Sequence, residues 1–195
     1  MSRHIERTAA RLFASRGYDA TSVREIVEAA GVTKPTLYYH FGSKEGLAHA
    51  LLNVPLSALA ETLRTIAEGQ GPPEVLLEEL FEAHFAFCRE NPDHARFYYA
   101  ICFGPLATSL AGDLMKYGCR LDEPIIAVGH RLGEAGVIAR GRDADFLFTC
   151  RGLITSAVMG FLLKEGELGP ALASRLVDIL LRGFGEPGRA GRESQ

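Results

Sequence analysis

One stretch, Thr21 to Leu47, limits what this chain can fold into more than any other. It reads TSVREIVEAAGVTKPTLYYHFGSKEGL. Ser22 stands three residues before Glu25 and just ahead of the apolar positions Val23, Ile26 and Val27, the pattern of a capping box that opens a short helix. Gly31 closes that helix, because glycine tolerates the left-handed turn after a helix end. Thr33 then caps a second helix with Pro35 in its first turn, where a missing N–H has no partner to lose. Two short helices joined by a glycine turn make a helix-turn-helix. On the second helix Leu37 and Phe41, four apart, face the protein. Lys34, Thr36, Tyr38, Tyr39 and His40 present polar, aromatic and cationic groups outward.

Charge says what such a helix meets. The 195-residue chain has a formal charge of −3, which argues against indiscriminate polyanion binding over its whole surface. Residues 1–52, however, hold seven Lys/Arg against five Asp/Glu, and the remainder fourteen against nineteen. Only the first quarter suits phosphate. In a helix-turn-helix the second helix enters the major groove and its N-terminal residues reach base edges. Lys34 is long enough to donate to guanine O6 or N7, and a threonine methyl packs on that of thymine. The Thr21 and Ser22 hydroxyls, at a helix N-terminus, suit phosphate. The competing reading makes Tyr38, Tyr39 and His40 packing residues of a three-helix domain.

Apolar spacing predicts helices over 2–16, 22–30, 34–41, 44–68, 74–90, 93–103, 143–164 and 171–184, and over 106–136 with interruptions at Gly118 and Pro124. Pro55 is expected to kink or break the fourth helix. Gly104-Pro105 ends the sixth. No strand-period alternation occurs, so the expected fold is all-α. Ile5, Phe13, Val23, Ile26, Val27, Leu37, Phe41 and Leu47 are the expected small core of a helix-turn-helix domain over 1–48. A second helical domain over 49–185 and a disordered tail over 186–195 complete the expected organisation.

The second domain carries weaker signals. Phe81, Phe85, Phe97, Tyr98, Tyr99 and Phe103 lie among Cys88, Cys102 and Met115, which describes a largely apolar small-molecule pocket and equally an ordinary core. His84 is the expected polar contact, with Tyr98 and Tyr117 behind it. Cys88, Cys102, Cys119 and Cys150 form no CxxC pair and read as buried free thiols in a reducing cytoplasm. His84 and Cys88, four apart, share a face, but a structural zinc site needs four ligands. No metal or cofactor is expected. GxSxG, P-loop, HExxH and GxGxxG are all missing, so no catalytic residues are assigned. The most apolar run, Gly152 to Leu163, is twelve residues, too short to span a membrane. Asp143 to Phe184 reads as a dimer face: the first of its helices is apolar nearly all round, and Gly152, Ser156 and Gly160 recur every four residues.

The stretch AARLFASRGYDATSVREIVEAAGVTKPTLYYHFGSKEGL resembles the DNA-binding domain of TetR/AcrR-type transcriptional regulators. The match covers about Ile5 to Leu52. It includes Gly17, the Thr21-Ser22 cap, Ala30-Gly31-Val32, Leu37-Tyr38, His40-Phe41 and Ser43-Lys44-Glu45. The resemblance implies an all-helical protein of this length, a divergent C-terminal ligand domain and a dimer through the last two long helices. It sets Thr36, Tyr38, Tyr39 and His40 at the groove and Lys44 on a phosphate. With Thr21, Ser22, Thr33, Lys34 and Pro35 these make the expected DNA-binding set. The expected ligand set is Phe81, His84, Phe85, Cys88, Tyr98, Cys102, Met115 and Tyr117. The implied partners are a double-stranded operator, a small apolar effector and a second copy of the chain. Rival readings remain open: a thiol or metal sensor using Cys88 and Cys102, and an enzyme built on a helical bundle.

Overall fold

The structure, a computed structural model, describes residues 1–103 and 110–183, and for 111–117 the backbone alone. Among the described residues it is all-helical, as expected. The helices are α1 (Ser2–Arg16), α2 (Val23–Ala30), α3 (Lys34–Phe41), α4 (Lys44–Ala67), α5 (Pro73–Glu90), α6 (Pro92–Cys102), α7 (Ala111–Glu134), α8 (Asp143–Leu162) and α9 (Pro170–Arg182). Gly104-Pro105, the tail over 186–195 and the side chains of Met115 and Tyr117 lie outside the described residues.

Neither α4 nor α7 is broken at the three positions expected to kink or interrupt them. α4 continues through Pro55, and α7 through Gly118 and Pro124. A proline inside a helix removes one backbone bond. Leu51, Leu52, Leu56 and Leu59, all buried around Pro55, hold the helix on despite that loss.

The chain divides into two compact units. The first comprises Met1–Leu63 and Ala86–Asp122. In it α1 packs on α2 and α6, and α2 on α3. Ile5, Phe13, Ile26, Leu37 and Leu47 are fully buried and Val27 nearly so. Each such side chain contributes about 1.5–3 kcal/mol of burial. Val23 and Phe41, expected in this core, are only half-buried. The ring against Phe13 comes instead from Phe97 of α6, 5.0 Å away between centroids.

The second unit comprises Arg64–Phe85 and the chain from Glu123 onward. The Arg131 guanidinium donates to the carbonyls of Ala67 at 3.1 Å, Gly69 at 2.7 Å and Gly71 at 2.9 Å, so α7 holds the turn between α4 and α5. α8 packs on α9 and buries Phe146, Cys150, Ile154, Val158 and Leu162, one residue per turn. Among the described residues its other side is uncovered: Phe148 is 81% exposed, and Gly152 and Ser156 are exposed beside it. α8 also corrects the expectation that no segment is long enough to span a membrane. Its 20 residues, with a mean hydropathy of 1.3 over the most apolar window, meet the criterion by length and composition. The run that begins at Gly152 is only part of this helix, because Phe146–Cys150 extend its apolar surface by more than a turn. A helix covered by another protein chain has the same composition.

Candidate nucleic-acid interface

α2 starts where the capping box places it. Glu25 N–H donates to Ser22 Oγ at 3.2 Å, and Ser22 N–H donates back to Glu25 Oε2 at 2.7 Å. These bonds satisfy donors that a helix start would otherwise leave unpaired. They also hold the Glu25 carboxyl below its ordinary pKa. Gly31 takes φ 62°, the left-handed conformation that the short turn requires. Thr36 N–H then donates to Thr33 Oγ1 at 3.4 Å, and Pro35 sits in the first turn of α3. Thr33 and Pro35 thus build the start of α3 and are themselves exposed.

α3 has one buried residue, Leu37, at 0% exposure. Lys34, Tyr38, Tyr39 and His40 are exposed, Tyr39 at 86%, and Thr36 is half-buried. The packing reading of Tyr38, Tyr39 and His40 therefore fails. Ser22 is exposed as expected, but Thr21 is not. Thr21 is fully buried and its hydroxyl donates to the Gly17 carbonyl at 2.8 Å. This corrects its assignment to a phosphate: a side chain closed off from solvent and bonded inward has no reach to DNA.

α4 begins under a third cap, Gly46 N–H donating to Ser43 Oγ at 2.9 Å. A Cβ on Gly46 would overlap the Phe41 carbonyl oxygen, so this position admits glycine alone. Lys44 Nζ lies 4.1 Å from the centroid of the Tyr18 ring. Burial lowers the Lys44 pKa, while Asp19 and Glu25 act to raise it. Sequence reasoning missed Tyr18; the only available signal was an aromatic residue directly after the glycine that ends α1.

The family described as bacterial regulatory proteins, tetR family, matches residues 5–51, which are α1, α2, α3 and the first turns of α4. Over these residues the chain matches the tetR family. Among curated relatives it is similar to the transcriptional repressor KstR2 of Mycobacterium tuberculosis, 42% identical over 77 residues. That match takes in 40% of this chain and 38% of that protein. To the Rhodococcus jostii KstR2 it is 42% identical over 138 residues, 71% of this chain and 64% of that one. These matches thus cover less than two thirds of either relative. Among solved structures, the TetR-family regulator PfmR of Thermus thermophilus aligns with 94% of this chain and 100% of its own, at 26% identity and a TM-score of 0.74. Bacillus subtilis FadR, solved with stearoyl-CoA, aligns with 95% of this chain and 100% of its own, at 19% identity and a TM-score of 0.74. The FadR likeness is one of fold.

Beyond the tetR helix-turn-helix, the structure sorts the remaining expected residues. Phe81, His84 and Phe85 belong to the second unit; Cys88, Tyr98 and Cys102 belong to the first. Phe81 and Phe85 are fully buried and pack edge to face, centroids 6.2 Å apart. His84 Nδ1 bonds the Leu80 carbonyl at 2.8 Å, so the neutral ring donates from Nδ1 and leaves Nε2 as an acceptor. Desolvation of the ring holds its pKa below the usual value. The four-thiol expectation is half right: Cys88 and Cys150 are buried and pushed up to about 12, whereas Cys102 and Cys119 are exposed. A thiol so protonated is a poor nucleophile, which weighs against Cys88 in a thiol sensor. Among the described residues no group of three His, Cys, Asp or Glu could hold a metal.

Proposed function

We propose that this chain is a homodimeric transcriptional repressor. Its two α3 helices read a near-palindromic operator, and a small, largely apolar effector releases it. The outward face of α3 carries the reading: Lys34, Tyr38, Tyr39 and His40 exposed in a row on a short helix that is anchored by one buried leucine. Lys34 and Thr36 meet base edges at the start of the helix, and Tyr38, Tyr39 and His40 follow along the groove. Ser22, Thr33 and Lys44 serve the phosphates on either side. Thr21 is left out, for the reason given above.

The dimer uses α8 and α9. The uncovered apolar side of α8, from Phe148 past Gly152 and Ser156, supports this reading, because two such faces would bury each other. The effector contacts α5 at Phe81, His84 and Phe85, with His84 Nε2 accepting its polar group. FadR, of like fold, holds an acyl chain in stearoyl-CoA, which favours an effector with a long apolar part. Release requires the effector to bind the DNA-free state more tightly, typically by ~1–3 kcal/mol, or roughly 5–150-fold in operator affinity.

Selection of duplexes from a random-sequence pool by the full-length protein tests the proposal. The expected product is an inverted repeat with half-sites about one helical turn, ~34–36 Å, or a multiple apart. A pool that stays unenriched would refute the operator reading. Long-chain acyl thioesters titrated into the selected complex should lower its fluorescence anisotropy.

A further inference from the structure

Tyr18 lies in the turn between α1 and α2, outside every set of DNA-contacting residues named above. Its ring meets Phe13, Phe97 and Lys44 of the first unit. Phe13 of α1 lies edge-on with centroids 5.3 Å apart. Phe97 of α6 is 6.5 Å away. Lys44 Nζ sits 4.1 Å from the ring centroid. Phe13 and Phe97 are 0% and 1% exposed, so two of the three rings are fixed in the core and hold the third from behind. The cluster ends at the cation on the first residue of α4.

A lysine side chain is long and rich in rotamers, and fixing it on a phosphate costs conformational entropy. An ammonium over an aromatic face is attracted by the ring quadrupole. Its N–H donors remain available to an acceptor, because the ring does not neutralise the charge as a carboxylate would. The ring therefore orients the cation and leaves it able to pair with an anion.

We infer that Tyr18 is a positioning residue, backed by Phe13 and Phe97, that presents Lys44 to a DNA phosphate. The inference rests on the DNA-binding reading above and extends it to a ring that acts through Lys44. Because Phe97 belongs to α6, a displacement of that helix reaches Lys44 through two ring contacts.

The test uses full-length protein and a mixed-sequence DNA duplex, read by fluorescence anisotropy between about 50 and 200 mM salt, where phosphate contacts set the slope. Tyr18→Phe keeps the ring face. Pentafluorophenylalanine in place of Tyr18 keeps a ring of similar shape but reverses its quadrupole, so the fold is retained while the attraction is lost. Tyr18→Phe should bind as the wild type does. The fluorinated ring should weaken binding roughly 2- to 5-fold per head, the factor a cation–π contact at a partly exposed site supplies. It should also flatten the plot of log affinity against log salt by up to ~0.9 per head, one phosphate contact. In a Lys44→Ala background the ring exchange should change nothing further. Unchanged affinity and slope with the fluorinated ring, when Lys44→Ala does flatten the slope, would overturn the inference and leave the DNA-binding reading standing. So would tighter binding, or effects of the two changes that add. A Lys44→Ala protein with an unaltered slope would instead show that the phosphate contact itself is misassigned, and the role of Tyr18 would fall with it.

Discussion

The uncovered side of α8 permits a substitution that separates folding from assembly. Among the described residues, a Cβ placed on Gly152 or on Gly160 meets nothing beyond its own stretch of helix within 4 Å. Replacing both with alanine, which adds only that Cβ, therefore introduces no clash among the described residues of a protomer. It removes two glycines from a helix interior, a gain of about 0.8–1 kcal/mol each. Across a dimer face built on this notch the outcome reverses. Two substitutions in each of two copies insert four side chains into a close approach of helices, and overpacking costs typically ~1–3 kcal/mol per site. The sum, ~4–12 kcal/mol, is comparable with the ~8–12 kcal/mol that holds a micromolar to nanomolar dimer. Even the low end weakens association about a thousandfold. Sedimentation velocity at about micromolar concentration should show wild-type dimer and variant monomer, and far-UV circular dichroism should show equal helix content. Operator affinity should fall with the dimer, since one head alone makes few contacts. A variant that stays dimeric at that concentration and binds the selected operator as tightly as wild type would refute α8 as the interface.

Three further outcomes are expected. Gly46→Ala drives a Cβ into the Phe41 carbonyl, so α3 or α4 must shift; a loss of about 1–3 kcal/mol in urea unfolding is expected, and an unchanged midpoint would contradict the geometry. His84 and His94 both have pKa values held below the ordinary 6.5 by burial. The unfolded chain therefore binds more protons as pH falls past 6.5, and stability should decline on acidification from pH 7. His84→Gln should flatten that decline, and a melting temperature that rises on acidification would reverse the sign. Cys102 and Cys119 should react with a disulfide reagent at pH 8 in native protein, while Cys88 and Cys150 wait for unfolding; equal rates for all four would refute the burial assigned to the latter pair.

The DNA head was legible because its signals are local. A cap, a glycine and a proline each fix a few neighbouring residues, and the three together set both short helices within a residue of their observed limits. The burial of Thr21, against its assignment, was legible too. Ser22 is the N-cap of α2 and Val23 its first residue, so Thr21 occupies the position before the cap. A side chain there usually turns inward against the fourth helical residue, here Ile26, which is itself fully buried. The hydroxyl alone suggested phosphate; the register of the cap pointed to the core.

What the sequence concealed depends on partners far along the chain. Helical spacing put Phe97 on an apolar stripe but carried no information on which helix that stripe would meet, and it became part of the core around Phe13 instead of a candidate ligand wall. Val23 and Phe41 lie the other way, half-buried outside the expected core. Pro55 and Pro124 show the same limit from the backbone side. A proline removes one hydrogen bond wherever it stands, but whether the helix survives depends on how much side-chain burial flanks it, and that is a tertiary quantity. α8 is the complementary case: its composition announced more apolar surface than one chain covers, and the structure leaves the surplus on the Phe148 side. In the proposed dimer this surplus is the contact face, and the small residues at 152, 156 and 160 set where two copies cross.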